Sequence, residues 1–308
     1  MNGKKENYPT ILITGSNGFL GRHLIKEFSD SPYRLVATSL SDNAIADLDE
    51  YITFRKLDIS NKEELKNIFN EFKPDFLINT SAVTNVEGCE KDKDFAYRVN
   101  VEAVHHMADL AKEFNTHLIQ LSTDFVFDGK KGPYKEEDPR CPVNEYGRTK
   151  MLSEEALENS GCSFAILRTI LVYGSSDDPG RSNFVLWVKK MLSEGKEIKV
   201  VNDHWRMPTF INDLARACAL VVERKAAGIF NISGDEEYSI ESFARSIARF
   251  YNFDESLITS IASKDIGQHE NRPLKTGFDL SKSKEQLGYE PTKLAVALTI
   301  MDEEAKII

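Results

Sequence analysis

The chain has 308 residues, 41% apolar and 29% charged, with a formal net charge of -10. That composition specifies a globular core and excludes a disordered chain, and the length allows one large domain or two unequal ones. The acidic balance argues against nucleic acid as a partner, but nucleotides stay open, because backbone N–H groups bind phosphate without basic side chains.

The first predicted element is a buried-type strand, Thr10–Thr14, followed by glycines and an amphipathic helix in "TILITGSNGFLGRHLIKEF". Strands are predicted in "YRLVATSL" (33–40) and "ITFRKLDI" (52–59), then a helix in "KEELKNIFNEF" (62–72). Ser60 is the expected cap of that helix. "PDFLINTSAV" (74–83) is the next strand, and the charged run "EGCEKDKD" reads as a solvated turn. A helix over about 94–114 leads to the strand "THLIQLSTDFVF" (116–127). A long helix begins near Tyr146, and "SFAILRTILVYG" (163–174) is a further strand. Short β-rich runs alternating with helices argue for a parallel sheet covered on both faces, with right-handed crossovers.

The remainder is less regular. "SNFVLWVKKMLSEG" is an amphipathic helix, residues 196–223 read as strand, loop and helix, and "AGIFNISG" is a short strand. Ser239 is placed to cap the helix "SIESFARSIARFYN". The fold class is therefore α/β: a Rossmann-type doubly wound parallel sheet with a smaller C-terminal α/β substrate lobe. Residues 1–173 are expected to form the dinucleotide-binding domain, with a returning segment near 205–232. Residues 174–204 and 233–308 are expected to form the lobe.

Cys89, Cys141, Cys162 and Cys218 include no C-x-x-C pair, so thiols in a reducing compartment are expected. The start "MNGKKENYPT" lacks a secretory pattern and no apolar run reaches membrane-spanning length. A cytoplasmic protein without a membrane partner is the expectation. His105, His106 and His117 show no metal-ligand spacing, so no metal is expected. Trp187 and Trp205 fit either a core or an interface.

Gly15, Gly18 and Gly21 form G-x-x-G-x-x-G between strand and helix. Glycine allows the tight turn and the close approach of a pyrophosphate, and the helix N-terminus offers free N–H groups. No G-K-[ST] follows, which excludes a phosphate loop of the Walker type. Asp58 ends the third strand, where an acid can reach adenine. The second strand ends at Thr38 and Ser39, without the acid that would favour NAD through a ribose hydroxyl. NADP(H) is therefore slightly favoured over NAD(H), with Arg22 near enough in sequence to meet a 2′-phosphate. Tyr146 and Lys150 share a helix face at i and i+4. A neighbouring ammonium favours phenolate, which suits acid–base work. Thr123 ends a parallel strand, where open α/β folds place their ligands.

Together "TGSNGFLG", "NTSAV", "STDFVFDG", "YGRTK" and "RTILVYG" resemble the extended short-chain dehydrogenase/reductases. "STDFVFDG", "MPT" (207–209) and "NRP" (271–273) narrow the resemblance to the dTDP-4-dehydrorhamnose reductase branch. The resemblance spans nearly the whole chain. It implies reduction of the 4-keto group of a nucleotide-linked deoxysugar by NADPH or NADH, and a homodimer is an assembly held open. It places the catalytic set on Thr123, Tyr146 and Lys150. Cofactor contacts fall on Gly15, Asn17, Gly18, Phe19, Leu20, Gly21, Ser39, Asp58, Ile59, Ser81, Ala82 and Val83, with Tyr146 and Lys150. Substrate contacts fall on Asp124, Phe125, Leu171, Arg206 and Arg272, the two arginines in loops as donors to the diphosphate. One departure is Leu171, where these reductases carry a tryptophan. The neighbouring branch includes the non-catalytic, NADP-binding regulatory β subunit of methionine adenosyltransferase, which leaves a regulatory role as an alternative. A sugar-nucleotide epimerase is a further alternative. A dehydratase is disfavoured because Phe125, rather than a second acid, follows Asp124.

Overall fold

The computed structural model describes residues 8–45, 52–178, 180–268 and 271–306. In chain order the sheet-forming half runs β1 (Thr10–Thr14), α1 (Phe19–Phe28), β2 (Arg34–Ser39), β3 (Ile52–Lys56), α2 (Lys62–Phe72), β4 (Phe76–Asn79), α3 (Val86–Lys91) and α4 (Lys93–Tyr97). It continues with α5 (Ala103–Phe114), β5 (His117–Thr123), α6 (Glu145–Glu158), β6 (Phe164–Thr169) and β7 (Val172–Tyr173). Then come α7 (Phe184–Ser193), β8 (Ile198–Val201), β9 (Trp205–Arg206), β10 (Thr209–Phe210), α8 (Ile211–Arg224), β11 (Gly228–Ile232) and β12 (Tyr238–Ser239). The chain ends with α9 (Ile240–Tyr251), β13 (Ile258–Ile261), α10 (Ser281–Leu287) and α11 (Leu294–Glu304).

Seven parallel strands form the main sheet in the order β11-β6-β5-β4-β1-β2-β3. The period-2 alternation of each strand divides its side chains between two layers. Ile11, Ile13, Ile78 and Ile119 enter one core with α1 and α8 residues such as Leu24 and Leu214. Leu12, Leu77, Leu118 and Ile166 enter the other with α2 and α5 residues such as Leu65 and Met107. Each such side chain, fully buried, contributes about 1.5–3 kcal/mol. A third core, including Val188, Ile198, Phe243, Ile247, Ile258 and Leu298, holds the C-terminal elements together. β8 and β13 pair there in parallel.

Several local readings need correction. The charged run at 87–94 is not a turn, because α3 and α4 occupy it, capped by the side chains of Asn85 and Asp92. The helix expected over 94–114 is broken by a π-helical segment, Arg98–Glu102. The cap of α2 is Asn61, whose Oδ1 accepts from Glu63 and Glu64, while Ser60 turns to Asp58. Ser239 does cap α9, by accepting from Ser242. Trp187 is half-buried against Phe184, whereas Trp205 is 40% exposed. His117 is tied to Ser163 and the carbonyl of Ala226. Among the described residues no helix is long and apolar enough to cross a membrane, and no histidine, cysteine and carboxylate group could hold a metal.

The sheet order reverses between β1 and β4. The chain winds outward through β2 and β3, then returns to the other side of β1. The crevice at the carboxyl ends of β1 and β4 is the place where such sheets bind ligands.

Candidate active site

The glycine loop lies in that crevice. Gly15 takes φ +71, and a Cβ there would meet Thr80 Oγ1 at 2.7 Å. Gly21 lies so close to the loop that a Cβ would meet the Gly15 carbonyl oxygen at 2.3 Å. Gly18 stands at the N-cap of α1 with no side chain over the helix end, so the first N–H groups face outward unmasked. Ser16 Oγ is buried and has no hydrogen-bond partner among the described residues. A turn this close, an open helix N-terminus and an orphaned hydroxyl fit a dinucleotide pyrophosphate.

The other cofactor expectations surround this turn. Asn17 holds the neighbouring 41–44 segment, donating to Ser41 Oγ at 2.9 Å and Asp42 O at 2.8 Å. Arg22 is paired with Asp177 at 2.8 Å and donates to Ala44 O at 2.9 Å. It thus acts as a latch on that segment in this geometry. Phe19 and Leu20 are half-buried and pack against the third core. Ser39 is half-buried at the end of β2. Asp58 receives Ser60 N and Ser60 Oγ on one carboxylate oxygen, and Ile59 is buried in the second core. Ser81, Ala82 and Val83 follow β4. Val83 is clamped by Asn100, which accepts its N–H at 2.8 Å and donates to its carbonyl at 2.9 Å.

Asn100 lies in the π-helical segment and also donates to Thr149 Oγ1 on α6, at 3.0 Å. It therefore ties the β4 loop to the helix that carries Tyr146 and Lys150. Gly147 fixes the other side of that helix, since a Cβ there would meet Phe125 O at 2.1 Å. Asn144 caps α6 by accepting from Gly147 N, and donates to Asn271 O, both at 2.8 Å. Sequence reasoning missed Asn100, Gly147 and Asn144. The glycine directly after Tyr146 was the available signal.

Thr123 ends β5, Tyr146 packs on Phe125 just beyond it, and Lys150 follows one turn along α6. The Thr123 hydroxyl donates to Asp124 and favours the charged form of the neighbouring Tyr146 phenol. Burial pushes the phenol well above its ordinary range, and the nearby Thr123 hydroxyl offsets only part of that. Lys150 is not among the groups that shift it, contrary to the expectation that the ammonium favours phenolate. A neutral phenol at working pH still carries the proton that a donor needs. Lys150 is 3% exposed, and burial lowers its ammonium to about 8.

Asp124 is buried beside them. It receives Thr123 Oγ1 at 3.1 Å and Thr276 Oγ1, and its Oδ2 lies 3.5 Å from Arg206 Nε. Burial raises its carboxyl and Arg206 counteracts. Phe125 meets the Tyr146 ring edge to face at 5.9 Å and lies under the Arg206 guanidinium at 5.7 Å. Arg206 is not in a loop. It lies on β9, 5% exposed, and donates to the carbonyls of Trp205, Leu274 and Pro273. Arg272 pairs with Glu87 at 2.5 Å and remains partly exposed. Leu171 has φ +37 and packs half-buried between the first and third cores.

A family model described as RmlD substrate binding domain matches residues 9–306. The chain belongs to the RmlD substrate binding domain family. As the motifs implied, this places it among the extended short-chain dehydrogenase/reductases. It is 30% identical over 301 residues to a dTDP-4-dehydrorhamnose reductase of Aggregatibacter actinomycetemcomitans, covering 94% of this chain and 96% of that one. It is 29% identical over 278 residues to the methionine adenosyltransferase 2 subunit beta of Xenopus tropicalis, covering 88% and 80%. The structure of a dTDP-4-dehydrorhamnose reductase from Bacillus anthracis str. Ames in complex with NADP superposes with a TM-score of 0.84 at 25% identity, covering 96% of this chain and 99% of that one.

Proposed function

We propose that this RmlD-family protein is an NAD(P)H-dependent oxidoreductase that reduces the 4-keto group of a nucleotide-linked deoxysugar. The leading substrate is dTDP-4-dehydro-L-rhamnose, reduced to dTDP-L-rhamnose. The observation that carries this reading is the buried Thr123 at the end of β5, with Tyr146 packed on Phe125 and a buried Lys150 one turn further along α6, next to the switch point of the sheet. When bound, the cofactor supplies the hydride. Gly15, Gly18 and Gly21, with Asn17, Phe19 and Leu20, would hold its pyrophosphate. Ser39, Asp58 and Ile59 would hold its adenosine end. Ser81, Ala82 and Val83 would flank its nicotinamide end, and Lys150 would hold a ribose hydroxyl.

Tyr146 donates its proton to the oxygen formed at C4. Thr123 hydrogen-bonds the same oxygen, and a donor of this kind is worth about 3 kcal/mol in the transition state. Asp124, Phe125, Leu171 and Arg272 line the substrate side. Arg206 contributes through Asp124 and the 273–274 backbone that it holds. Residues 1–173 with the 205–232 segment form the cofactor domain in this reading, and 174–204 with 233–308 form the substrate lobe. The assembly is a monomer or homodimer, separable by sedimentation.

A second reading is a non-catalytic NADP-binding regulatory subunit. Leu171, in place of the tryptophan of the reductases, favours it. An epimerase of the same fold is a third. Purified protein with NADPH or NADH, screened against several nucleotide-linked 4-keto sugars, separates them. Reduction of a keto-sugar supports the reductase. No turnover, with tight binding of a methionine adenosyltransferase catalytic subunit, overturns it in favour of the regulatory reading.

A further inference from the structure

Tyr146, Lys150 and Glu154 follow each other at intervals of four on α6, so they share one face. Glu154 is 0% exposed. Its carboxylate accepts Ser122 Oγ at 2.5 Å, Arg168 Nε at 3.0 Å, Arg168 Nη2 at 2.7 Å and Arg140 Nη1 at 3.0 Å. Arg168 lies on β6, is 1% exposed, and donates its remaining Nη1 to Glu136 O at 2.9 Å. Ser122 directly precedes Thr123 on β5. One buried carboxylate thus joins the helix that carries Tyr146 and Lys150 to the two strands beneath it.

Stability is a weak reason for such a group. A buried ion pair is often replaced by apolar residues of similar volume without loss. Position gives a better one. The ionisable groups around this face are Tyr146 and Glu154 on α6, Asp124 after β5, Arg168 on β6, Arg206 on β9, Cys89 on α3 and Arg140 in the loop before α6. Glu154 stands one turn beyond Lys150 on the same buried face, and a carboxylate at that spacing favours the ammonium against burial. We propose that Glu154 is a positioning residue that keeps Lys150 charged beside Tyr146, with Arg168 and Arg140 setting how much of its charge Lys150 feels. The proposal rests on Lys150 being a member of the reacting group, but its test needs neither substrate nor cofactor.

The full chain, labelled with [13Cε]lysine, is titrated by NMR, with the Lys150 resonance assigned by its loss in Lys150→Arg. Glu154→Gln removes the carboxylate and leaves two guanidinium charges unopposed. The Lys150 midpoint should fall by about one pH unit, a tenfold change in the ionisation constant. Arg140→Gln should move it the other way, because Glu154 then has one cation fewer to neutralise. Arg140 also lines a surface cavity of about 390 Å³ with Glu155 and Glu158, so this variant opens no sealed core. A role in folding alone would lower the melting temperature and leave the midpoint unmoved. An unmoved midpoint in either folded variant overturns the proposal. If Glu154→Gln does not fold, Arg140→Gln decides. Absence of keto-sugar turnover would overturn the reductase reading and leave this titration unchanged.

Discussion

Tyr146 and Lys150 show how one environment acts oppositely on two groups. Burial disfavours whichever form is charged, so it raises the phenol and lowers the ammonium. Tyr146→Phe removes the proton donor and leaves the glycine loop intact. Its kcat should fall by about 10²- to 10⁴-fold while NADPH affinity is retained, as steady-state kinetics and cofactor titration will read. The pH dependence has a definite sign. The ammonium of Lys150 exists below its lowered value, so kcat/KM should decline as pH rises through about 8. A flat profile between pH 7 and 9.5 would remove Lys150 as a charged participant.

The two substrate-side arginines separate at the same scale. Arg272 is partly exposed and paired with an exposed Glu87, so it can turn to a diphosphate. Arg272→Ala should raise KM for the nucleotide-sugar and weaken dTDP binding, with NADPH affinity near wild type. Arg206→Ala strips Asp124 and three carbonyls of a buried partner. It should lower stability by about 3 kcal/mol. Calorimetry with dTDP and thermal melts distinguish the two. Equal dTDP affinity in Arg272→Ala and wild type would take Arg272 out of the site.

At the scale of elements, the site depends on how α6 docks. Gly147 lets the helix touch the turn after β5, and Asn144 holds Asn271 while it caps the helix. Asn100 closes the other side through Val83 and Thr149. The π-helical segment brings its side chain to both. Asn100→Ala would leave two backbone groups and a hydroxyl without that partner, at a cost of about 2 kcal/mol or more. It should also weaken NADPH binding, because Val83 flanks the cofactor in our reading. Unchanged stability and affinity would show that water replaces the amide without loss.

Over the whole molecule, residues 271–278 are tied back to segments far earlier in the chain. Asn271 meets Asn144, Leu274 O accepts Trp205 N at 2.7 Å, Thr276 reaches Asp124, and Gly277 O accepts Tyr134 N at 2.7 Å. A ligand in the crevice at the carboxyl ends of β1 and β4 should stabilise the whole fold. NADPH at a hundredfold excess over Kd should add about 2.7 kcal/mol, visible as an upward shift in melting temperature. At equal concentration NADH should shift it no more than NADPH, since Ser39 offers no acid to the ribose. A larger NADH shift would reverse that preference.

The sequence by itself determined the parallel sheet, the glycine loop and the Tyr146 and Lys150 face, because these rest on short-range periodicity: two for strands, near four for a helix face, three between the glycines. It also marked Thr123, by its place at a strand end. Only the tertiary structure decided what surrounds them. Arg206 read as a loop residue but stands buried on β9, because the carbonyls of Pro273 and Leu274 that it serves lie in a segment nearly seventy positions away. Asn100 and Glu154 gave no local signal, since their partners come from other elements. The turn expected at 87–94 became two short helices because Asn85 and Asp92 cap them, while Arg272 covers Glu87 from the far end of the chain. Local spacing specifies which face a residue occupies; burial and long-range pairing then set its charge and its reach.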